Sequence, residues 1–91
     1  MSKVEITQRR MAATARGVGI MCDFYIEKAK NAELWDTDGN RYIDFAGGIG
    51  VLNTGHLHPK VQAAVAEQLT KYSHTCYQVV PYESYTVAAE R

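Results

Sequence analysis

The sequence predicts an α+β chain in which an antiparallel meander of three short strands is combined with helices. Two observations lead to this class. Short runs that contain tyrosine, tryptophan and isoleucine are separated by polar turns, and Asp38-Gly39 is the strongest local hairpin signal. After Pro59, apolar residues recur instead at the spacing of a helix. Because about three strands are the minimum for a sheet with stability of its own, the meander is expected to be marginal by itself.

Size and charge exclude several classes of protein. The chain has 91 residues, which is enough for one small domain. Ten basic and ten acidic side chains balance, so no basic face for nucleic acid is expected. No apolar run approaches the roughly 20 residues that span a bilayer, and the N-terminus has no secretory signal, so no membrane partner is expected. Two cysteines in such a chain are expected to be reduced thiols in the cytoplasm.

The first half of the chain is predicted from short local patterns. A helix is expected over residues 5–14, ended by the glycines that follow it. Strands are expected over residues 25–30, 32–36 and 41–44. The last hairpin feeds a glycine-rich loop at residues 47–50. Since glycine lets a backbone approach a ligand closely, this loop is predicted to position a ligand.

The helix that begins at Pro59 is the clearest element of the second half. Proline suits the first turn of a helix, where its missing N–H is not needed, and the apolar repeat continues to about Tyr72. The start of this helix points back towards the glycine-rich loop. A second helix begins after Pro81 and reaches Arg91 without a stop signal, so we expect the chain to be a piece of something longer.

Two ligand-binding motifs match only in part. Residues 48–53 nearly fit a dinucleotide fingerprint, but Asn53 stands where the third glycine belongs. Residues 36–40 resemble a calcium loop, but the glycine comes too early in it. A nicotinamide site and a calcium site are therefore both disfavoured, and residues 36–40 are predicted to form a hairpin turn.

One set of side chains could be imagined as zinc ligands: His56, His58, His74 and Cys76. Structural zinc sites usually show paired cysteines at close spacing, which this chain lacks, so no metal is predicted and a small metal-binding module is only an alternative. We interpret His58 as flanking the helix start, and His56 and His74 as bonded to backbone groups. Cys76 is expected to be a small buried apolar residue.

Taken together, several motifs resemble the class III pyridoxal-phosphate-dependent aminotransferases, and most of all their 4-aminobutyrate branch. The frame shared across that class is found here at Asp38-Gly39, Asp44-Phe45 and His58-Pro59. More specific to the 4-aminobutyrate branch are residues 53–60, NTGHLHPK, joined to residues 73–76, SHTC. The resemblance covers nearly the whole chain but only the N-terminal part of such an enzyme.

The resemblance implies a fold-type I enzyme that works as a homodimer with its active sites at the subunit boundary. Its reaction would move the amino group of 4-aminobutyrate to 2-oxoglutarate, giving succinate semialdehyde and glutamate, with pyridoxal 5'-phosphate as the electron sink. In the family pattern, Ile49 would be an apolar wall of the substrate pocket, and Gln78 would lie near the cofactor and substrate. Gly47 and Gly48 would let the backbone pass close to both.

The resemblance also implies what this stretch does not supply. In the family, the Schiff-base lysine, the aspartate at the pyridine nitrogen, the phosphate-binding turn and the carboxylate-binding arginines all lie downstream. No catalytic and no cofactor-binding residue is therefore assigned here, and neither Lys60 nor Lys71 matches the catalytic lysine. The chain alone is expected to be inactive and free of cofactor. Alternatives are a non-catalytic docking fragment, or a related omega-aminotransferase with 5-aminovalerate as donor.

These patterns divide the chain into three parts. Residues 1–19 are predicted to form an N-terminal helical arm, and residues 20–58 the antiparallel meander with the glycine-rich loop. Residues 59–91 are predicted to form a helix, a substrate-side loop and the start of a truncated helix. In the class III resemblance, these parts belong to the small domain and line the entrance to the substrate site.

Overall fold

A computed structural model describes every residue of the chain, in two compact units, Met1–His58 and Pro59–Arg91. The elements, in chain order, are α1 (Lys3–Ala13), β1 (Ile26–Lys30), β2 (Glu33–Asp36), β3 (Arg41–Ile43), α2 (Gly47–Gly50), α3 (Pro59–Leu69) and α4 (Glu83–Glu90). The predicted α+β class, with its antiparallel meander of three strands, is confirmed. None of the helices combines the length and the apolar character needed to cross a membrane.

Helix α1 begins earlier than predicted because Ser2 caps it. The Ser2 hydroxyl accepts a hydrogen bond from the N–H of Glu5 at 3.2 Å, and the Glu5 carboxylate accepts one from the N–H of Ser2 at 2.8 Å. This reciprocal capping box satisfies backbone donors that have no partner inside the helix, and it lowers the pKa of Glu5. The helix ends at Ala13, before the glycines expected to end it, since Thr14 already has an extended backbone.

The strands pair in the order β1-β2-β3, with both neighbouring pairs antiparallel. Trp35 in the central strand lies opposite Lys28 of β1 and Arg41 of β3. The Lys28 ammonium lies 5.2 Å from the centre of the Trp35 ring, and Arg41 forms an ion pair with Glu33. The sheet therefore relies on its backbone ladder and on cross-strand pairs, because none of its apolar side chains is buried.

The turn between β2 and β3 is built around Asp36, whose surface is only 3% exposed. Its carboxylate accepts hydrogen bonds from the N–H groups of Asp38 at 2.9 Å and Asn40 at 2.8 Å, and from the Tyr42 hydroxyl at 2.8 Å. Burial raises the pKa of Asp36, but the hydrogen bonds, led by those from Asn40, outweigh burial and leave the pKa below its ordinary value. The predicted hairpin turn is confirmed, with Gly39 at a φ of 83°.

The glycine-rich stretch, α2, is not a regular α-helix or an open loop but a short left-handed turn. Its residues share a positive φ, between 54° and 71°, and they are Gly47, Gly48, Ile49 and Gly50. The N–H of Val51 donates to the carbonyl of Gly47 at 2.9 Å, which closes the turn. Glycine adopts this backbone without steric penalty, so the conformation explains the composition of the stretch.

In the second unit, α3 begins at Pro59 as predicted but ends at Leu69 rather than near Tyr72. The chain tightens there because the N–H groups of Thr70 and Lys71 donate to carbonyls three residues earlier, at 3.1 Å and 3.0 Å. The predicted second helix is present as α4, which begins after Pro81.

Tyrosine rings connect the segments of this second unit. Tyr77 stacks on Tyr85 with ring centres 4.1 Å apart and meets the Tyr82 ring edge-on at 5.4 Å. Tyr72 lies 5.7 Å from Tyr82. Such ring pairs contribute about 0.5–1.5 kcal/mol each beyond the area that they bury. These ring pairs are important for the stability of the second unit because the chain contains no fully buried apolar side chain.

Candidate functional site

The residue expected to wall a substrate pocket, Ile49, lies in the middle of an exposed loop. We call residues 45–55, which follow β3 and precede His56, the glycine loop. The Ile49 side chain is 92% exposed, and Phe45 and Val51 are also largely exposed. No residue of the glycine loop carries a charge. The loop therefore presents an apolar surface that could contact the methylene groups of a ligand.

A hydrogen-bonded pair of side chains closes the base of the glycine loop. Asp44 Oδ2 lies 2.7 Å from His56 Nε2, and these side chains are only 9% and 22% exposed. Asp44 Oδ1 accepts hydrogen bonds from the N–H groups of Ala46 at 3.1 Å and Gly47 at 2.9 Å. One carboxylate therefore joins the two ends of the loop and holds the first residue of its left-handed turn.

The same contacts favour the ionised form of Asp44. The hydrogen bond from the Gly47 N–H and the contact with the His56 ring outweigh burial and hold the pKa of Asp44 below its ordinary value. Hydrogen bonds to an ionised acceptor are stronger than those between neutral groups. The ionised carboxylate is thus the form that locks the loop.

Two backbone hydrogen bonds close the loop a second time. The N–H of Asn31 donates to the carbonyl of His56, and the N–H of His56 donates to the carbonyl of Asn31, both at 2.9 Å. Gly55 packs against this bridge with a φ of 79°, and a Cβ there would lie 2.9 Å from the Asn31 carbonyl oxygen. Only glycine fits at residue 55 without a shift of the backbone. A cavity of about 200 Å³ lies beside the bridge and is lined in part by Leu52 and Asp44.

Ile49 is held in a conformation that its own backbone disfavours. Its φ of 61° and ψ of 61° lie in the left-handed region, which β-branched residues rarely adopt. This conformation costs about 1–2 kcal/mol, which the surrounding contacts must offset. At Gly47, a Cβ would meet nothing within 4 Å, so the left-handed backbone and not crowding by this chain requires that glycine. The expected close passage of cofactor or substrate at Gly47 and Gly48 stays a prediction.

The other residue expected to bind substrate, Gln78, belongs to the second unit, and its side chain is exposed. It lies in a turn in which the N–H of Val79 donates to the carbonyl of Cys76 at 2.8 Å. An apolar groove of about 650 Å³ runs along α3 in this unit, but Gln78 does not line it. Ile49 and Gln78 are thus carried by separate units, and their common role in substrate binding stays a prediction.

The lysines of this chain lack the burial that activates a Schiff-base lysine. Such a lysine is activated by desolvation or by a neighbouring cation, whereas none of the lysines here is buried. They are Lys3, Lys28, Lys30, Lys60 and Lys71. The groove beside Lys60 also has no carboxylate in its lining to pair with a pyridine nitrogen. The residues of this chain therefore do not by themselves fit the cofactor.

The histidines and cysteines do not gather into a metal site, because no three His, Cys, Asp or Glu side chains are arranged to hold an ion. The interpretation that the His56 ring bonds a backbone group is wrong, since the ring contacts the Asp44 carboxylate. The expectation that Cys76 is buried is also wrong. It is a free, exposed thiol in a turn, with a φ of 55°, and Cys22 is likewise free and exposed.

Asp44 is the residue of this site that sequence reasoning missed. Its carboxylate bonds the N–H groups two and three residues further on, which is the pattern of an Asx turn leading into glycine. An aspartate just before a glycine-rich loop, with a histidine just after that loop, is the signal that identifies the pair. The pairing itself depends on how the chain returns to Asn31, which no local pattern contains.

Comparison with known proteins connects this geometry to one family. Residues 13–91 match the model of the family described as Aminotransferase class-III. The 5-aminovalerate aminotransferase DavT of Pseudomonas aeruginosa is 59% identical over 92 residues, which cover 99% of this chain and 22% of that protein. The 4-aminobutyrate aminotransferase GabT of Escherichia coli is 55% identical over 89 residues, covering 98% of this chain and 21% of that protein. This chain thus spans about a fifth of the length of these curated relatives.

Solved structures of aminotransferases share the fold. The ornithine aminotransferase from Toxoplasma gondii ME49 superposes with a TM-score of 0.74 at 29% identity, covering 82% of this chain and 17% of that chain. The acetylornithine aminotransferase from Elizabethkingia anophelis gives a TM-score of 0.76 at 24% identity, covering 82% and 19%. Because the acetylornithine aminotransferase is only 24% identical to this chain, its similarity shows a shared fold and nothing more.

Proposed function

Because this chain belongs to the class-III aminotransferase family, we propose that the full-length protein transfers the amino group of 4-aminobutyrate to 2-oxoglutarate. The products are succinate semialdehyde and glutamate. The observation that carries this proposal is the identity of 55–59% to aminotransferases named for 4-aminobutyrate and 5-aminovalerate, over nearly the whole chain. Both donors are ω-amino acids, in which a methylene chain separates the amino group from the carboxylate.

The apolar surface of the glycine loop supports a substrate of this kind. Each methylene that is buried against an apolar surface contributes about 0.8 kcal/mol to binding. Ile49 is largely exposed and lies in a loop without charged side chains, so it can supply such a surface. In this proposal Ile49 forms a wall for the methylene chain, and the exposed amide of Gln78 bonds polar groups of the substrate or cofactor.

The choice between the two donors depends on a single methylene group. One methylene in an apolar pocket changes kcat/KM by about 10–200-fold. We place 4-aminobutyrate first, and 5-aminovalerate is the alternative donor. A protein with this apolar wall is expected to accept both donors, because no charged side chain in the glycine loop would reject the longer chain.

The proposed cofactor is pyridoxal 5'-phosphate, which supplies an electron sink when it is bound. Because no lysine of this chain is suited to hold it, the residues that do so are proposed to lie elsewhere in the full-length protein, and residues 1–91 alone are proposed to be inactive. The full-length protein is proposed to be a cytoplasmic homodimer. These proposals rest on the family membership and on the fact that this chain covers only about a fifth of each relative.

Steady-state kinetics of the full-length protein test the donor. Purified protein loaded with pyridoxal phosphate is assayed for glutamate formation from 2-oxoglutarate, with 4-aminobutyrate, 5-aminovalerate or ornithine as the donor. We expect kcat/KM to be highest for 4-aminobutyrate and within about 200-fold for 5-aminovalerate. A higher value for 5-aminovalerate would replace the proposed donor by the alternative, and no transfer from either ω-amino acid would overturn the function.

A trapping experiment tests the proposed inactivity of residues 1–91. The isolated chain is mixed with pyridoxal phosphate and treated with borohydride, which reduces an imine to a stable adduct that mass spectrometry locates. We expect no stoichiometric adduct on any single lysine and no transamination, because the lysines are not buried. A single modified lysine together with measurable transfer would contradict this expectation.

The open groove along α3 favours a second candidate function for the 91-residue chain by itself. Val61, Val65 and Leu69 line that groove and are 52%, 53% and 67% exposed. Such a chain could dock on an aminotransferase subunit without catalysing anything. Analytical ultracentrifugation of the chain with an aminotransferase tests this: co-sedimentation that Val65→Lys abolishes would support docking. A chain that stays monomeric and folds cooperatively at micromolar concentration would argue against it.

A further inference from the structure

We propose that Asp44 and His56 are positioning residues, which hold Ile49 in place for the substrate by locking the base of the glycine loop. This inference rests on the proposed function, because it assumes that Ile49 contacts the methylene chain of the amino donor. It adds two residues that would not touch the substrate themselves. Their contribution would be to fix the backbone that carries Ile49.

The glycine loop cannot derive its shape from packing of its own side chains. Phe45 and Ile49 are 94% and 92% exposed, and Val51 is also largely exposed. A loop without buried side chains keeps one conformation only if polar contacts impose it. The polar side chain that joins its two ends is Asp44, through the ring of His56 and the backbone of Ala46 and Gly47.

The locked base of the loop supports the backbone conformation of Ile49. Strained backbone persists only where the surrounding contacts over-determine it, and Ile49 has a left-handed backbone that a β-branched residue disfavours. Asp44 holds the N–H of Gly47, the first residue of that turn, at 2.9 Å. Two residues further on, the chain reaches Ile49. Loss of the carboxylate frees the start of the turn, so that Ile49 can relax to an ordinary conformation.

His56 orients the carboxylate of Asp44. Its Nε2 lies 2.7 Å from Asp44 Oδ2, while its own backbone is held by both hydrogen bonds to Asn31. The ring is therefore fixed to the sheet side of the loop, and it directs the other oxygen of Asp44 towards Ala46 and Gly47. Removal of either member of the pair is expected to release the same lock.

The expected kinetic effect is on KM rather than on kcat. An apolar wall contacts the methylene chain equally in the ground state and in the transition state, and loss of such uniform binding raises KM with kcat unchanged. Since each methylene buried against an apolar wall contributes about fourfold to binding, loss of this contact for about two methylenes is expected to raise the donor KM about tenfold in Asp44→Ala and His56→Ala. A fold-wide defect would instead lower the amount of active enzyme and hence the apparent kcat.

The experiment uses the full-length protein loaded with pyridoxal phosphate and combines kinetics with hydrogen–deuterium exchange. The variants are Asp44→Ala, His56→Ala and the double variant, with Asp44→Asn as a milder change that keeps the acceptor oxygen for the Gly47 N–H. Asp23→Ala is the matched control, since its side chain is exposed and lies outside the loop. Exchange is compared between the amides of residues 46–52 and those of residues 37–40.

We expect faster exchange at residues 46–52 and a higher donor KM in both alanine variants, with residues 37–40 and the Asp23→Ala control unchanged. The double variant should be no worse than either single variant, because one lock is removed in each case. Asp44→Asn should restore part of the protection and part of the KM. A raised KM with unchanged loop exchange, or faster exchange with unchanged KM, would overturn the proposal.

The two proposals fail in different ways. A wild-type protein that transfers no amino group from either ω-amino acid would overturn the proposed function. The positioning of Ile49 would then be decided by exchange alone. Unchanged protection of residues 46–52 in Asp44→Ala and His56→Ala would refute it, and a loss of protection confined to those residues would support it.

Discussion

The two units of this chain are shaped by different forces. In Met1–His58, two carboxylates collect the decisive contacts: Asp36 accepts four hydrogen bonds in its turn, and Asp44 makes three contacts at the base of the glycine loop. In Pro59–Arg91, tyrosine rings stack beside an open apolar groove. Neither unit has a fully buried apolar side chain.

The difference shows how local shape can be specified without a core. Hydrogen bonds to a carboxylate are directional and short, so they define a turn from a few residues. Apolar attraction is non-directional and grows with the area removed from water, so an open groove gains little from its own side chains. The first unit therefore has specified turns, whereas the second keeps an open apolar groove along α3.

Acid is expected to produce the largest change, because it acts on both carboxylates of the first unit at once. The pKa values of Asp36 and Asp44 lie below the ordinary value, so the stabilisation from each is complete above about pH 4, where the unfolded chain is also ionised. It is lost as the pH falls through the lower, folded pKa values.

Carbon-13 NMR of the two carboxyl groups, with the ring signals of Tyr42 and Tyr77, follows this transition. We expect the Tyr42 signal to change with the titration of Asp36, and the Tyr77 signal to respond less, since its ring contacts are with other tyrosines. A Tyr42 signal that does not change while the Asp36 carboxyl group titrates would contradict the role given to the carboxylates.

Gly55→Ala is expected to give the next largest effect. The left-handed backbone costs alanine about 1–2 kcal/mol, and the contact with the Asn31 backbone adds about 1–3 kcal/mol. Gly39→Ala is a control with a positive φ but open space, and Gly17→Ala has neither constraint. Local stability is measured from hydrogen exchange at the Asn31 and His56 amides. Equal effects of the Gly55 and Gly39 variants, each measured at its own turn, would show that the close approach at residue 55 is unimportant.

Tyr77→Leu tests the aromatic contacts of the second unit. It removes two ring pairs worth about 0.5–1.5 kcal/mol each while keeping an apolar side chain. We expect a local loss of about 1–3 kcal/mol at the Val79 and Val80 amides, measured by hydrogen exchange. Tyr77→Phe, which keeps the ring, should change protection much less. Equal losses in both variants would mean that the hydroxyl and not the ring is responsible.

Ile49→Gly is expected to have the smallest effect on stability, and in the opposite direction. The substitution relieves about 1–2 kcal/mol of backbone strain in the folded chain. Glycine also has more conformational freedom in the unfolded chain, which destabilises the folded state by about 0.5–1 kcal/mol and offsets part of that gain. The Val51 and Leu52 amides should therefore be protected as well as or better than in the parent protein. Reduced protection in hydrogen exchange would show that the Ile49 side chain stabilises the loop.

Local patterns predicted much of the fold because they report on local physics. The start of α3 at Pro59, the hairpin at Gly39 and the three strands follow from backbone preferences. The capping box at Ser2 was readable in the same way but was missed. Helix α3 ends earlier than predicted because the N–H of Thr70 donates to the carbonyl of Glu67, three residues before it, which tightens the chain. The spacing of apolar residues carries no information about that hydrogen bond.

The sequence by itself determined the class of fold, the family resemblance and the candidate role of Ile49, because propensities and motifs reside in consecutive residues. Tertiary structure alone decided that Asp44 reaches His56 and that Asn31 closes the loop beside Gly55. Those contacts join residues that are distant along the chain. They form only when the strands and turns have set the separation and direction of the groups, and spacing in a sequence does not encode that geometry.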